Sequence, residues 1–386
     1  MDFRLNEDQL AMRDVMRRFC SEEIAPKAAW RDEQQRFEDG LIEKLGAIAL
    51  FGTYVPEKYG GAGQDYITYV MTVEELSRAC GATGILVSAH HSLAVDPILA
   101  FGTEDQKQKY LPKMASGEWI GCFSLTEPNS GSDAGAARCM AKETTDGWVI
   151  NGTKNFVTNG REAHVIVLFA VTDADNPKRR MSAFIVEKDT PGCTLGKLEH
   201  KLGIKASSTA ELIFENCVVP KEALLGERGK GLSVALATLD GGRIGVAAQA
   251  VGISQAALDC ATEYANTRVQ FNQPIGRFQA IQWKLADMAT GIAAARLLMY
   301  RAAWLKQNQQ PYGTEAAMVK VFASEVSNRV TDAAIQVYGG YGYCADYPAE
   351  RLMRDARITE LYEGTSEIQR LVIARKLTQE PAWVTR

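Results

Sequence analysis

Three long alanine-rich segments near the end of the chain, 243–268, 279–309 and 314–338, limit the possible folds more than any other feature. Each runs well beyond the ~11–12 residues of a typical helix. Helices of that length, following one another closely, bury their apolar faces against each other as a bundle. One such face carries Ile281, Leu285, Met288, Ile292 and Ala295. Core packing explains this stripe better than a subunit interface does. The middle of the chain has a different texture. His164 to Ala170 and Met181 to Val186 are short apolar runs, and Ala210 to Glu215 alternates. No helical stretch separates them, so an antiparallel barrel or sandwich is expected, not βαβ units. Asn151-Gly152, between Val149-Ile150 and Phe156-Val157, reads as a hairpin turn. The first part is helical again. Leu10, Val15, Met16 and Phe19 repeat at three-to-four spacing, as do Leu41, Leu45, Ile48 and Ala49. Asn6, followed by Glu7 and Asp8, suits a helix N-cap. The expected fold is therefore α+β: a helical domain over 1–118, a β domain over 119–229 and a four-helix bundle over 230–386.

Several function classes drop out. Lys plus Arg number 43 and Asp plus Glu 47, a net charge of −4, which gives no basis for nucleic-acid binding. Eight cysteines are scattered without a CxxC pair, as expected of thiols in a reducing compartment. There are four histidines, and His90 and His91 are adjacent, so they point apart on a helix; no metal site is expected. We find no uninterrupted apolar run of the ~20 residues a membrane span needs. The start, MDFRLNEDQLAMRD, is charged and acidic, unlike a secretory or transit segment. A bacterial cytoplasmic protein, or a processed mitochondrial matrix form, is expected. Gly340 to Ala345 matches a dinucleotide fingerprint in spacing but follows a helical segment where a strand is required. Gly226 to Gly231 lacks the spacing of a P-loop, and no GxSxG elbow is present.

Three segments carry chemistry. Phe123 to Gly135 is dense in hydroxyls and small residues and opens the strand region. It suits a planar heterocycle and a phosphate, although a generic surface turn explains its composition better. Asp240 and Arg243 lie one helical turn apart, as an ion pair or as a ligand pair. Glu363 precedes a glycine and a Thr-Ser pair that could start a helix. A carboxylate at that junction, beside Leu361 and Tyr362, could be partly desolvated into the range of a general base.

With TEPNSGSD (126–133), NGTKNFVTNG (151–160), LDGGRIG (239–245), RVQFNQPIGRFQAIQ (268–282), QVYGGYGY (336–343) and YEGTSEIQ (362–369) in this order, the chain resembles the acyl-CoA dehydrogenase family. The closest similarity is to its short-chain, butyryl-CoA members. It extends from Leu5-Asn6-Glu7-Asp8-Gln9 to Arg370-Leu371-Val372-Ile373-Ala374. The resemblance implies FAD-dependent oxidation of an acyl-CoA to the trans-2-enoyl-CoA. A base takes the α-proton and flavin N5 accepts the β-hydride. The base is implied to be Glu363. Some relatives carry it instead just before the arginine of the LDGGR segment, where this chain has Gly242. The thioester oxygen is implied to be held by the Glu363 backbone N–H and a flavin ribityl hydroxyl.

The cofactor contacts implied are Phe123, Leu125, Thr126, Gly131, Ser132, Phe156, Val157 and Thr158 along the ring. Arg268, Phe271, Phe278, Gln279, Gln336, Val337, Gly339 and Gly340 are implied at the pyrophosphate and adenosine end, reached from a neighbouring subunit. Thr365 and Glu367 are further cofactor contacts. Ser132, Asp240, Arg243 and Gly364 are implied to contact acyl-CoA. The family also implies a homotetramer and electron transfer to an electron-transferring flavoprotein. A dehydrogenase for branched, cyclic or aromatic acyl groups and an acyl-CoA oxidase share the scaffold. A non-catalytic helical scaffold is the alternative from another class. The stretch Ser88 to Asp96 is expected at the bottom of the acyl pocket.

Overall fold

The computed structural model describes residues 4–379, so 1–3 and 380–386, the outer ends of the first and last expected domains, lie outside it. Seven helices come first: α1 (Glu7–Phe19), α2 (Ala28–Gln34), α3 (Leu41–Ala47), α4 (Tyr66–Ala79), α5 (Gly81–Ala89), α6 (Asp96–Phe101) and α7 (Glu104–Ser116). Eight strands follow: β1 (Ile120–Ser124), β2 (Met140–Glu143), β3 (Trp148–Thr158), β4 (Ala163–Val171), β5 (Met181–Glu187), β6 (Cys193–Leu198), β7 (Thr209–Val219) and β8 (Leu224–Leu225). The last region holds α8 (Gly231–Thr267), a short ribbon of β9 (Val269–Gln270) and β10 (Gln273–Pro274), then α9 (Gln279–Gln307), α10 (Gly313–Tyr338), α11 (Pro348–Arg357) and α12 (Ser366–Gln379).

The N-terminal caps are built as the sequence suggests. Asn6 Oδ1 accepts the Gln9 N–H at 2.8 Å, and Gln9 Oε1 accepts the Asn6 N–H at 3.0 Å. Gln9 Nε2 also donates to Asp65, which caps α4 through the Thr68 N–H. One side chain thus ties two helix starts together. Thr103 and Gln106 repeat the reciprocal box at α7. Leu10 and Val15 of the α1 stripe are exposed, and only Met16 of that face is fully buried.

The sheet runs β6-β7-β3-β2-β4-β5-β8, with β1 also paired to β4. Most pairings are antiparallel, as expected. The exceptions are β1 on β4, which is parallel, and a single parallel bridge from β2 to β4. The expected hairpin at Asn151-Gly152 does not form: both residues lie inside the continuous strand β3. Gly152 serves a close approach instead, since a Cβ there would meet Cys139 Cα at 2.7 Å. The strand β4 is buried on both faces, which explains its unbroken apolar run. Ile166, Leu168 and Ala170 join the interior of the sheet domain with Trp148, Phe184 and Phe214. Val165, Val167, Phe169 and Val171 join Ile98, Leu111 and Met114 of the helices.

The bundle core is made by α8, α9 and α10 through Val251, Met288, Ile292, Val319 and Val326, and by α4, from outside the expected 230–386, through Tyr69 and Val70. Helix α8 begins twelve residues before the expected 243 and runs through Gly241, Gly242 and Gly245 without a break. Each glycine costs a helix about 1 kcal/mol against alanine, which tertiary packing offsets here. Two helical stretches, 81–101 and 231–267, are long and apolar enough to cross a membrane by composition. Both are mostly buried inside the protein, as core helices are.

Candidate active site

Glu363 sits in the turn between the 3₁₀ segment Ile358–Glu360 and α12. It and Gly364 both adopt left-handed backbone, with φ of 53° and 91°. This turn aims the side chain at α8. A Cβ added at Gly242 would overlap Glu363 Oε2 and lie 3.0 Å from both Glu363 Cδ and Leu93 Cδ2. The carboxylate therefore occupies the space that any side chain at 242 would need. Oε2 is sealed from solvent and has no hydrogen-bond partner among the described residues. Burial pushes the Glu363 carboxyl up to about 7, against the pull of the Lys320 and Arg243 charges.

Asp240 and Arg243 form the ion pair that their spacing allows. Burial raises the Asp240 carboxyl, with Arg243 and Lys306 opposing it. Arg243 is 5% exposed, and its Nε is buried without a partner among the described residues. The structure thus brings Glu363, Gly364, Asp240 and Arg243 together. Ser132 lies on an exposed turn, next to exposed Gly131.

The segment around Phe123 reaches the same place from the sheet. Phe123 packs in one cluster with Leu93, Leu239 and Tyr362, the neighbour of Glu363. The loop beyond β1 is fixed by a pair absent from the candidate residues above. Lys154 Nζ, fully buried, donates to the Leu125 carbonyl at 2.9 Å and to Glu127 at 2.7 Å. Glu127 also accepts the Arg138 and Cys139 N–H groups. Asn155 N–H donates to the Thr126 carbonyl at 2.8 Å. Beside this anchor, a register shift in β3 turns Phe156 outward at φ 56° and 62% exposure, while Val157 is buried and Thr158 half-buried.

A separate cleft of about 470 Å³ is lined by Tyr264, Arg268, Val337, Gly339, Gly340 and Tyr341, among others. A Cβ at Gly339 or Gly340 would meet nothing within 4 Å, so bare backbone faces open space there. The Arg268 guanidinium lies 5.3 Å from the Tyr341 ring centre. Bare backbone beside an exposed guanidinium suits a phosphate-bearing ligand. Gln336, Phe271, Phe278 and Gln279 are not part of this lining. Phe271 is 87% exposed on the β9–β10 ribbon and makes an edge contact with Phe278. Thr365 Oγ1 accepts the Ile368 N–H at the start of α12, and Glu367 is exposed in its first turn.

His90 and His91 are both fully buried in a π-helical turn, His90–Val95. His90 Nδ1 accepts the Gly121 N–H at 3.0 Å, and His91 Nε2 accepts the Thr53 N–H at 3.2 Å. Burial holds both imidazoles in the neutral form; His91 is lowered to about 4. Their work is to satisfy backbone donors. Among the described residues, no group of three or more His, Cys, Asp or Glu is placed to hold a metal ion.

Profiles of the acyl-CoA dehydrogenase N-terminal, middle and C-terminal domains match residues 6–118, 122–217 and 229–378. The chain belongs to the acyl-CoA dehydrogenase family. It is therefore a flavoprotein oxidoreductase by descent. It is 52% identical to the mitochondrial short-chain specific acyl-CoA dehydrogenase of Mus musculus, over 97% of this chain and 90% of that protein. It superposes on the butyryl-CoA dehydrogenase of Megasphaera elsdenii with a TM-score of 0.96 and 46% identity, covering 98% and 100% of the two chains. A chain from structural work on the electron transferring flavoprotein of Acidaminococcus fermentans is equally similar, with a TM-score of 0.97, 50% identity, and 98% and 99% of the chains covered.

Sequence reasoning passed over Lys154, Lys320 and Gln369. A signal existed for the two lysines. Lys154 shares the inward parity of Trp148 and Ile150 on β3, and Lys320 stands among Ala316, Ala317, Ala323 and Ser324 on the buried face of α10. A cation on a core-facing position needs a buried partner.

Proposed function

We propose that this chain is an FAD-dependent dehydrogenase that oxidises short-chain acyl-CoA thioesters to trans-2-enoyl-CoA in fatty acid β-oxidation, with Glu363 as the base. The observation that carries this reading is the sealed, unpartnered Glu363 Oε2 held against Gly242. A carboxyl raised to about 7 is ionised in good part at neutral pH, yet basic enough to accept a proton. FAD supplies the acceptor for the β-hydride. Phe156, Val157 and Thr158, with Phe123 to Thr126, would hold its ring, and Arg268 with Gly339 and Gly340 its diphosphate end. Glu363 takes the α-proton of the acyl chain. That proton is too weakly acidic unless charge on the thioester oxygen is stabilised. Among the described residues the Glu363 N–H donates to no backbone carbonyl, which leaves it available for that oxygen. Arg243, buried beside Asp240, offers its Nε to a polar group of the CoA arm.

The exposed Phe271, Trp283 and Tyr343 support assembly, for which the proposed form is a homotetramer. The proposed electron acceptor is an electron-transferring flavoprotein. The deciding experiment is Glu363→Gln. The variant should keep FAD and bind acyl-CoA, but anaerobic reduction of its flavin by butyryl-CoA should fall by ~10³ or more. Bleaching at close to the parent rate would remove Glu363 from the base role. Turnover on a panel of straight, branched and cyclic acyl-CoAs, with the flavoprotein acceptor or with oxygen, then separates the short-chain dehydrogenase from its relatives.

A further inference from the structure

Glu363 is placed by its backbone, and two side chains from elsewhere hold that backbone. Lys320, 0% exposed on α10, donates from Nζ to the Gly364 carbonyl at 2.7 Å. Gln369, 0% exposed on α12, donates from one Nε2 to the Glu363 carbonyl at 3.1 Å and to the Gly364 carbonyl at 2.9 Å. The two carbonyls belong to consecutive left-handed residues. That conformation is costly for a glutamate and persists only where surrounding contacts over-determine it. Neither donor is among the residues the family resemblance assigns a role.

We propose that Lys320 and Gln369 are positioning residues for the base: they clamp the Glu363–Gly364 carbonyls, and Lys320 alone adds an ammonium beside the carboxylate. This rests on Glu363 being the base. The charged and titratable groups facing the turn are Lys320 from α10, Arg243 from α8, and Glu360 and Glu367 on either side of it. Tyr66 from α4 and Tyr362 also sense the Glu363 charge. Burial lowers Lys320 to about 8, and the Glu363 charge is the first influence opposing that. Near neutrality Lys320 is still largely protonated, so it favours the ionised base. Gln369 carries no charge and can only position.

The test separates proton abstraction from hydride transfer. Holoenzyme is mixed in D₂O with 3,3-dimethylbutyryl-CoA, which has α-hydrogens but none on the β-carbon. Exchange of the α-hydrogens is followed by proton NMR across pH. Lys320→Met should move the acid limb of the exchange rate up by about one pH unit, as loss of a nearby opposite charge does, and should lower the plateau. Lys320→Arg should restore the midpoint. Gln369→Met should lower the plateau at least tenfold with the midpoint unmoved. Parent midpoint and plateau in Lys320→Met, or a midpoint shift in Gln369→Met, would overturn the assignment. Glu363→Gln is the control for the underlying reading. If it still exchanges, the base is misassigned whatever the Lys320 variants do.

Discussion

Gly242→Ala adds a single methyl group, and its effect follows from the geometry. The new Cβ would lie 3.0 Å from Glu363 Cδ and from Leu93 Cδ2, and would overlap Glu363 Oε2. Ordinary carbon–carbon contacts are ~3.5–4.0 Å. Glu363 Cδ must therefore retreat by about 0.5–1 Å, and the overlapping Oε2 by about 1 Å or more, because α8 is packed between α4 and α10 and cannot move readily. A displacement of ~1 Å at a reacting group costs on the order of 100-fold in rate. Stability should change little. Alanine gains about 1 kcal/mol of helix propensity over glycine, and the overpacking costs ~1–3 kcal/mol. The assay is stopped-flow reduction of the flavin by butyryl-CoA without oxygen, with a thermal melt and flavin content measured on the same sample. The expected result is intact flavin, a melting temperature within a few degrees of the parent, and reduction slowed roughly 100-fold. Reduction within threefold of the parent, in a folded and flavin-loaded variant, would refute the placement of the carboxylate against residue 242.

Other outcomes follow from the same site. Arg268→Ala should lower flavin content, since a lost charged hydrogen bond costs ~1.5–3 kcal/mol; full flavin occupancy after purification would exclude Arg268 from the diphosphate end. The raised Glu363 carboxyl has opposite consequences for rate and stability. Ionisation is needed for proton abstraction, so kcat/KM for butyryl-CoA should rise with pH through an acid limb near 7. The folded carboxyl is weaker than the unfolded one, so its contribution to stability is complete below the unfolded value of 4.5 and is lost as pH rises through about 7. Glu363→Gln should therefore melt higher than the parent at pH 8, with the gap closing toward pH 4; an equal gap at both pH values would contradict the burial of this carboxyl.

Much of this arrangement was legible in the residues. The β4 run showed itself because a strand buried on both faces has no polar alternation. The choice of Glu363 over position 242 as the proposed base came from the family resemblance, since Glu363 alone is one acid among many. Other features depended on contacts distant in sequence. Asn151-Gly152 has the composition of a turn, and only the passage of Cys139 against it explains a glycine within a strand. The start of α8 was hidden by glycines that lower helix propensity but permit close packing. Lys320 acts on a carbonyl 44 residues away, and Lys154 on groups 27 and 29 residues away. The adjacency of His90 and His91 argued against a shared metal, but only the fold shows that each serves the main chain of a distant segment.

The two-sided burial of β4 also bears on how the molecule can come apart. Val165, Val167, Phe169 and Val171 are each fully enclosed, and the atoms enclosing them include helices from outside the sheet. At ~1.5–3 kcal/mol for each such side chain, exposing that one face would cost on the order of 6–12 kcal/mol. That is comparable to the whole net stability of an ordinary domain. The strand region, distinct in topology, is thus not independent in energy: loss of its helical neighbours would remove its own margin, and opening of one layer propagates to the other.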